Sequence, residues 1–402
     1  MIVWDRSRIA GTAAETTTLE GRLQSLALAT DGVVVDVGTN ARIAALHAQA
    51  DANQDCVYAQ NLVASAIRDV VRTYDNPNLQ YVVLVGGDTS VPFFRYPDPS
   101  DLAPESWFVP PLGAGTSSEA VLRSDHVLGQ DEYGASTVLS LGGTRFPIPD
   151  LAVGRLVETA AEASAMIDAY VQGTTVKTVT PGSSLVTGYE FLTDSSNEVT
   201  DQLAAGTGAT PATLINDTWT ANDLRASLLG PTRNDIVYLA GHFDASATLA
   251  ADLQTTVNAS ELLAPDVDLM NALVFSIGCH AGYNLVDAHG ISGVTQTADW
   301  AQVLGRKGAT LVAGTGFQYG DDELIEYSER IYAEFAHQLR VGTGPVAVGQ
   351  ALNASKLAYL AATPEVKGCT RRPSSRPASS ACRCSRWTCP GRATRAVRAA
   401  RS

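Results

Sequence analysis

Asn271-Ala-Leu-Val-Phe-Ser-Ile-Gly-Cys279-His-Ala-Gly282 is an apolar run that closes on a thiol. An equivalent run, Asp235-Ile-Val-Tyr-Leu-Ala-Gly-His242, closes on an imidazole 37 residues earlier. Short apolar runs bounded by glycine read as buried strands. Open α/β sheets place their chemistry beyond the carboxyl ends of such strands. Two strands that each deliver one reactive side chain there supply a nucleophile and a proton acceptor.

Working outward, apolar runs alternate with segments of helical period, which predicts a mostly parallel sheet architecture. In the first half, Gly32–Val37, Tyr81–Val85 and Leu151–Val153 read as strands, and Val57–Val71 and Glu158–Val171 as helices. A loop rich in Pro and Ser is expected from about Ser90 to Ser118. Gln172–Gly182 carries Gly, Thr and Pro without apolar period and marks a subdomain boundary. Beyond it, strands are expected at Leu185–Thr187, Ile236–Ala240, Leu273–Ile277 and Ala309–Ala313. Helices are expected at Ser195–Ala204, Ala221–Leu229, Ala298–Leu304, Asp321–Leu339 and Pro345–Leu360. In the fourth of these, Leu324, Tyr327, Ile331, Phe335 and Leu339 form one stripe. The reading divides the chain into an N-terminal α/β subdomain (1–176), a second carrying the Cys/His pair (177–363), and a tail (364–402).

With 402 residues the chain can bury a large core. No stretch approaches the ~18 continuous apolar residues that read as a membrane span. Met1-Ile-Val-Trp-Asp-Arg does not read as a signal peptide, so an exported product would be expected to derive from a longer precursor. The formal charge of −14 is unevenly spread: ten of the 28 basic residues lie between Lys367 and Ser402, where no acid occurs. The remaining body is strongly acidic and repels nucleic acid and anionic membrane. Cysteine usage splits likewise, with only Cys56 and Cys279 outside the tail, too few for a disulfide scaffold. A Cys56–Cys279 bridge would consume the thiol.

The tail switches abruptly to Arg, Ala, Pro, Ser and Cys after an Ala-rich helix, and no apolar period survives. It is expected to be disordered, in the manner of a shifted reading frame of a GC-rich gene. The spacing Cys382-x-Cys384-x4-Cys389 matches no standard zinc pattern.

A thiolate, not a thiol, attacks carbonyls, and a histidine nearby supplies the base that generates it. Gly278, Ala281 and Gly282 leave room for a substrate backbone. Backbone N–H groups of Cys279 and Phe243 are candidates for an oxyanion hole, worth ~2.7–4 kcal/mol per donor. Against this stands the use of cysteine as a small buried filler at strand ends. His280, adjacent to the thiol, points the opposite way if the strand continues. His289, in Asp287-Ala-His-Gly290, reads as a solvated turn. Gly86-Gly87-Asp88 has neither Gly-x-Gly-x-x-Gly nor a P-loop lysine, which disfavours a nucleotide enzyme.

The motifs in their order resemble the gingipain-type cysteine peptidases, family C25 of the caspase-like clan CD. That clan carries its histidine after one apolar strand and its cysteine after the next. Tyr81-Val-Val-Leu-Val-Gly-Gly-Asp-Thr-Ser-Val-Pro92, Pro149-Asp-Leu-Ala-Val-Gly-Arg155 with Thr159-Ala-Ala-Glu-Ala163, and Gly305-Arg-Lys-Gly-Ala-Thr-Leu-Val-Ala-Gly-Thr-Gly316 extend the likeness over roughly residues 75–360. The resemblance implies a caspase-like fold of two Rossmann-like subdomains, flanked by helices. It implies a cysteine endopeptidase acting on protein or peptide substrates through a Cys279 thioester with His242 as general base and acid, needing no cofactor for the chemistry, and a secreted or cell-surface location. The clan usually has glycine after the histidine; here Phe243 stands there. Asp244 is a candidate to orient the imidazole. Asp125, His126, Asp131 and Glu132 lie near the family's calcium region, so Asp125, Asp131 and Glu132 are candidate ligands of a structural Ca2+. The alternative is a peptidase-like domain without activity, serving as a binding or structural module of a larger protein.

Overall fold

The computed structural model describes residues 1–98, 100, 102–141, 144–362 and 384–385. The expectations for the tail, including its cysteine spacing, fall almost wholly outside these residues. Two parallel sheets carry the chain. The first has the order β2-β1-β3-β4, built from β1 (Ile2–Trp4), β2 (Val34–Asp36), β3 (Tyr81–Val85) and β4 (Ala152–Leu156). The second has the order β6-β5-β7-β8-β9, from β5 (Ser184–Gly188), β6 (Ala212–Ile215), β7 (Ile236–Leu239), β8 (Leu273–Ser276) and β9 (Thr310–Ala313).

Parallel strands buried on both faces need apolar side chains in both directions, and both sheets follow this rule. Helices α1 (Ala13–Ala29), α2 (Ala41–Asp51) and α3 (Val57–Thr73) precede β3, and a short α4 (Ser117–Arg123) lies beyond it. α3 sets Val63, Ala64, Ile67 and Val71 against Val3, Val82 and Leu84 on one face of the first sheet. α1 and α5 (Ala160–Tyr170) cover the other with Leu19, Leu23, Ala163 and Ile167 against Ile2, Trp4 and Val85. Thr12 with Glu15 and Thr159 with Glu162 form capping boxes that start α1 and α5.

In the second sheet the alternation sorts the core into two layers. Val237, Leu239 and Val274 face Leu224 of α7 (Ala221–Leu228) and Trp300 and Val303 of α8 (Trp300–Arg306). Ile236, Tyr238, Phe275 and Ile277 face Val199 and Leu203 of α6 (Thr193–Thr207) and Tyr332 and Phe335 of α9 (Tyr327–Gln338). Ala351 of α10 (Val348–Ala362) joins that second layer.

Several expectations change. Sequence reading overlooked β1, α1, α2 and β6. Three residues such as Ile2-Val-Trp4 are too few to show a period, yet β1 is hydrogen-bonded to both β2 and β3. The loop expected at 90–118 contains the strand Phe94–Pro97, paired antiparallel with His126–Gly129, and a single helical turn Glu105–Trp107. α9 begins at Tyr327, so Leu324 lies outside it and is exposed; its inward face is Tyr332, Phe335 and Ala336 with Glu329. Glu329 is buried because its carboxylate accepts from Ser195 Oγ (2.7 Å) and the Asp321 N–H (2.8 Å). Cys56 is exposed and Cys279 buried, and no disulfide joins them. No helix among the described residues is long and apolar enough to cross a membrane.

The seam between the subdomains is polar. Glu158, just after β4, accepts from the Asp287 N–H (3.1 Å) and Asn284 Nδ2 (3.3 Å). Asn284 Nδ2 also donates to Asp299 (3.0 Å), which accepts from the Leu285 N–H (2.6 Å). Burial, aided by the neighbouring carboxylates, raises Glu158 to about 8; burial raises Asp299 to about 7, against hydrogen bonds that pull it down. A folded-state pKa above the unfolded value stabilises below the unfolded pKa, and that contribution is lost as pH rises through the folded pKa. Stability is therefore expected to decline from roughly pH 4, where the carboxyls ionise in the unfolded chain, to about pH 8 and to level off above it, and the double variant Glu158→Gln with Asp299→Asn to flatten that slope. Chemical denaturation at stepped pH measures it; the same slope in parent and variant would contradict the assignment.

Candidate active site

The register of β7 on β8 determines what meets beyond their ends. Ile236 pairs with Leu273 and Leu239 with Ser276, a constant offset of 37, and the Ile277 N–H still donates to the Leu239 carbonyl at 3.3 Å. Cys279 and His242 are separated by the same 37 residues, so they stand at equivalent positions, three residues past their strands. Cys279 joins Tyr238, Ala240, Phe275 and Ile277 in one core layer, and strand alternation carried past the end of β7 assigns His242 to the same face.

His242 is held by its backbone and boxed by aromatic rings. Its N–H donates to Tyr189 Oη (3.1 Å), and its carbonyl accepts from the Leu249 N–H (2.9 Å) and Thr248 Oγ1 (3.2 Å). Tyr189 Oη donates onward to the Leu249 carbonyl at 2.6 Å. The imidazole packs edge-on to Tyr189, ring centroids 5.1 Å apart, and beside Phe191 at 6.1 Å. Burial among these rings lowers its pKa to about 4, so the ring is neutral at physiological pH. Tyr189 was missed from the sequence, although it follows β5 at the same sheet edge and the strand-end rule applied to β7 and β8 would have found it.

Cys279 is 1% exposed. Its sulfur accepts from the Gln318 N–H (3.4 Å) and lies 3.8 Å from the Gln318 carbonyl. This sulfur therefore touches the segment leaving β9, another contact that the sequence did not disclose. Burial raises the thiol to about 12, opposed by the Gln318 N–H. Thiol and imidazole are thus both neutral in this state.

The glycines around the thiol serve packing rather than substrate access. A Cβ on Gly278 would lie 2.2 Å from Phe243 Cγ, and one on Gly282 would lie 2.4 Å from the Ala313 carbonyl oxygen. Phe243 alternates away from His242 into the opposite core layer, 2% exposed, with its ring 5.4 Å from that of Trp300. The departure at this position is thus accommodated by Gly278, whose bare Cα leaves the volume that the ring fills.

Other expectations are corrected by the contacts. Asp244 does not reach the imidazole; its Oδ1 closes a turn by accepting from the Ser246 and Ala247 N–H groups, each at 2.7 Å. Asp125, Asp131 and Glu132 do not converge on a Ca2+ shell. Asp125 accepts from the Ser106 N–H (2.8 Å) and Asp131 from Lys356 Nζ (2.6 Å). Glu132, fully buried, is neutralised by Arg68 and Arg145 and accepts from Tyr96 Oη. No cluster of three metal-ligating side chains occurs among the described residues. His126 is buried with Nδ1 on the Ser124 carbonyl (2.7 Å). His289 is buried too, its Nδ1 2.8 Å from Ser118 Oγ, not solvated.

Because Phe243 is core, Phe243→Gly is expected to destabilise the protein by about 3–5 kcal/mol. Gly278→Ala alone is expected to cost ~1–3 kcal/mol through overpacking. Combined with Phe243→Gly it should cost less than the sum, because the ring and the Cβ that clash with the new methyl are both gone. Urea titration of the double-mutant cycle measures this; strict additivity would contradict the packing.

No family model matches the sequence, and no curated protein sequence matches it. Solved structures do. The complex of the pro- and mature domains of RgpB from Porphyromonas gingivalis matches 90% of this chain and 74% of its own, with TM-score 0.56 and 14% identity. The crystal structure of the Arg-specific cysteine proteinase gingipain R matches 92% and 74%, with TM-score 0.55 and 14% identity. The resemblance drawn from the sequence motifs is therefore borne out at the level of architecture: this chain has the caspase-like α/β fold of gingipain R.

Proposed function

We propose that the protein is a cysteine endopeptidase in which Cys279 attacks the scissile carbonyl and His242 relays the proton. The observation that carries this reading is the shared offset of 37, which gives Cys279 and His242 equivalent positions beyond the ends of β8 and β7. With both groups neutral at rest, the proton leaves Sγ for the imidazole as sulfur bonds to the carbonyl carbon. The imidazolium then returns that proton to the departing amine, leaving an acyl-thioester on Cys279. Water, deprotonated by His242, attacks the thioester and restores the thiol. The N–H groups of Cys279 and Phe243 are the proposed donors to the developing oxyanion. Solved relatives in fold being cysteine proteinases supports the same chemistry.

Cys279→Ala is expected to abolish peptide hydrolysis and labelling by a peptidyl thiol probe while the fold survives. His242→Gln should cut turnover by about 10²–10⁴-fold. A peptide-library digest, read by mass spectrometry with both variants as controls, is the test. Turnover retained in the Cys279→Ala variant would refute the assignment.

The second reading, a peptidase-like binding or structural module, is favoured by one observation: Cys279 is packed in a core layer and its thiol is raised by burial. The pH dependence of Cys279 alkylation separates the two when measured with and without a peptide library. An active peptidase should show a reactive thiolate population near neutral pH once substrate analogues are present. A module should react only at alkaline pH under both conditions.

A further inference from the structure

His280 follows the thiol directly and has an unusual backbone, with φ of +57° in the left-handed region. A non-glycine residue there costs roughly 1–2 kcal/mol, so something must hold it. Its side chain is fully buried. Nε2 lies 2.7 Å from Glu105 Oε2, and the ring stacks on Phe108 at 3.7 Å between centroids. Glu105 is 2% exposed and spends its other oxygen on the Phe317 N–H at 2.9 Å. His280 in turn donates its own N–H to the Gly316 carbonyl (3.0 Å). One carboxylate thus ties together the turn that bears Cys279 and the segment that reaches Gln318, whose backbone meets the sulfur.

Glu105 comes from the other subdomain. It lies in the excursion between the strands Phe94–Pro97 and His126–Gly129, which docks on the second subdomain through Phe108, Leu112 and Leu122 against Tyr283 and Leu285. Backbone contacts add to the docking: the Gly113 N–H donates to the His289 carbonyl at 2.8 Å, and Leu112 bridges Gly290. Burying a carboxylate and an imidazole costs free energy unless each is partnered, and leaving either one alone would be penalised more heavily.

We propose that Glu105 and His280 are a positioning pair, through which the N-terminal subdomain fixes the strained turn that presents the Cys279 sulfur. The proposal rests on the reading of Cys279 as nucleophile. It makes catalysis depend on both subdomains, and it assigns the left-handed His280 a purpose that glycine, easier on the backbone, does not serve.

The test uses the full chain with Glu105→Gln, and His280→Gly as a second variant whose backbone is compatible with the turn if the first fails to fold. The ionisable groups facing Glu105 are His280, Cys279, Asp98, Tyr283 and Tyr319. Glu105, by its charge, raises the Cys279 thiol, so its neutralisation should move the midpoint of Cys279 alkylation by iodoacetamide to lower pH. Peptide mapping distinguishes this site from Cys56 and the tail. The same variant should lose kcat on the order of 10²-fold with KM close to the parent, and His280→Gly should lose kcat similarly. An unchanged midpoint together with parental kcat per folded molecule, leaving only a lowered melting temperature, would overturn the proposal. If the parent cleaves no peptide, the peptidase reading fails, while the alkylation midpoint still decides whether the pair governs the thiol.

Discussion

The parallel register of β7 on β8 is the constraint on which the site depends. Tyr238 against Phe275 and Leu239 against Ser276 fix the offset, and each further residue along the two chains inherits it. A slip of one residue would turn every side chain of a strand to the other face. Tyr238 and Phe275 would then leave the layer against α6 and α9, and Val237 and Val274 the layer against α7 and α8. The apolar burial that stabilises the second sheet is thus the same interaction that aligns thiol and imidazole. The equivalent positions of Cys279 and His242 come as a by-product of packing.

The surroundings of the pair are built on the same alternation. Phe243 belongs to the layer opposite Cys279, and a bulky residue after the histidine is absorbed by a glycine before the cysteine. Tyr189 secures the histidine from β5, and the Glu105–His280 pair secures the cysteine from the far subdomain. Each reactive residue therefore rests on a strand to one side and a long-range polar contact to the other. Burial leaves both groups neutral, which suits proton transfer coupled to attack better than a preformed ion pair.

What the sequence disclosed and what it withheld divide along physical lines. Strands β3, β7, β8 and β9 were legible within a residue or so, because parallel strands buried on both faces leave uninterrupted apolar runs. The equivalent positions of Cys279 and His242 beyond β8 and β7 were legible for the same reason, since the runs end on them. β1 was hidden by its brevity, and its place between β2 and β3 is set by partners far along the chain. The calcium reading of Asp125, Asp131 and Glu132 failed because composition does not reveal that Arg68, Arg145 and Lys356 arrive to neutralise Glu132 and Asp131. Glu105 was invisible for a related reason: its partner is 175 residues away, and the loop that carries it shows no period to read.

If the alignment of the two strands is correct, positions 242 and 279 lie within disulfide reach, which requires Cα atoms about 4.4–6.8 Å apart. Placing a second thiol by His242→Cys and oxidising the folded protein measures this without any assumption about substrate. The account predicts a single bond between positions 242 and 279, found by peptide mapping, in a protein that keeps its native circular dichroism. Two thiols that remain separately alkylatable after oxidation would contradict it.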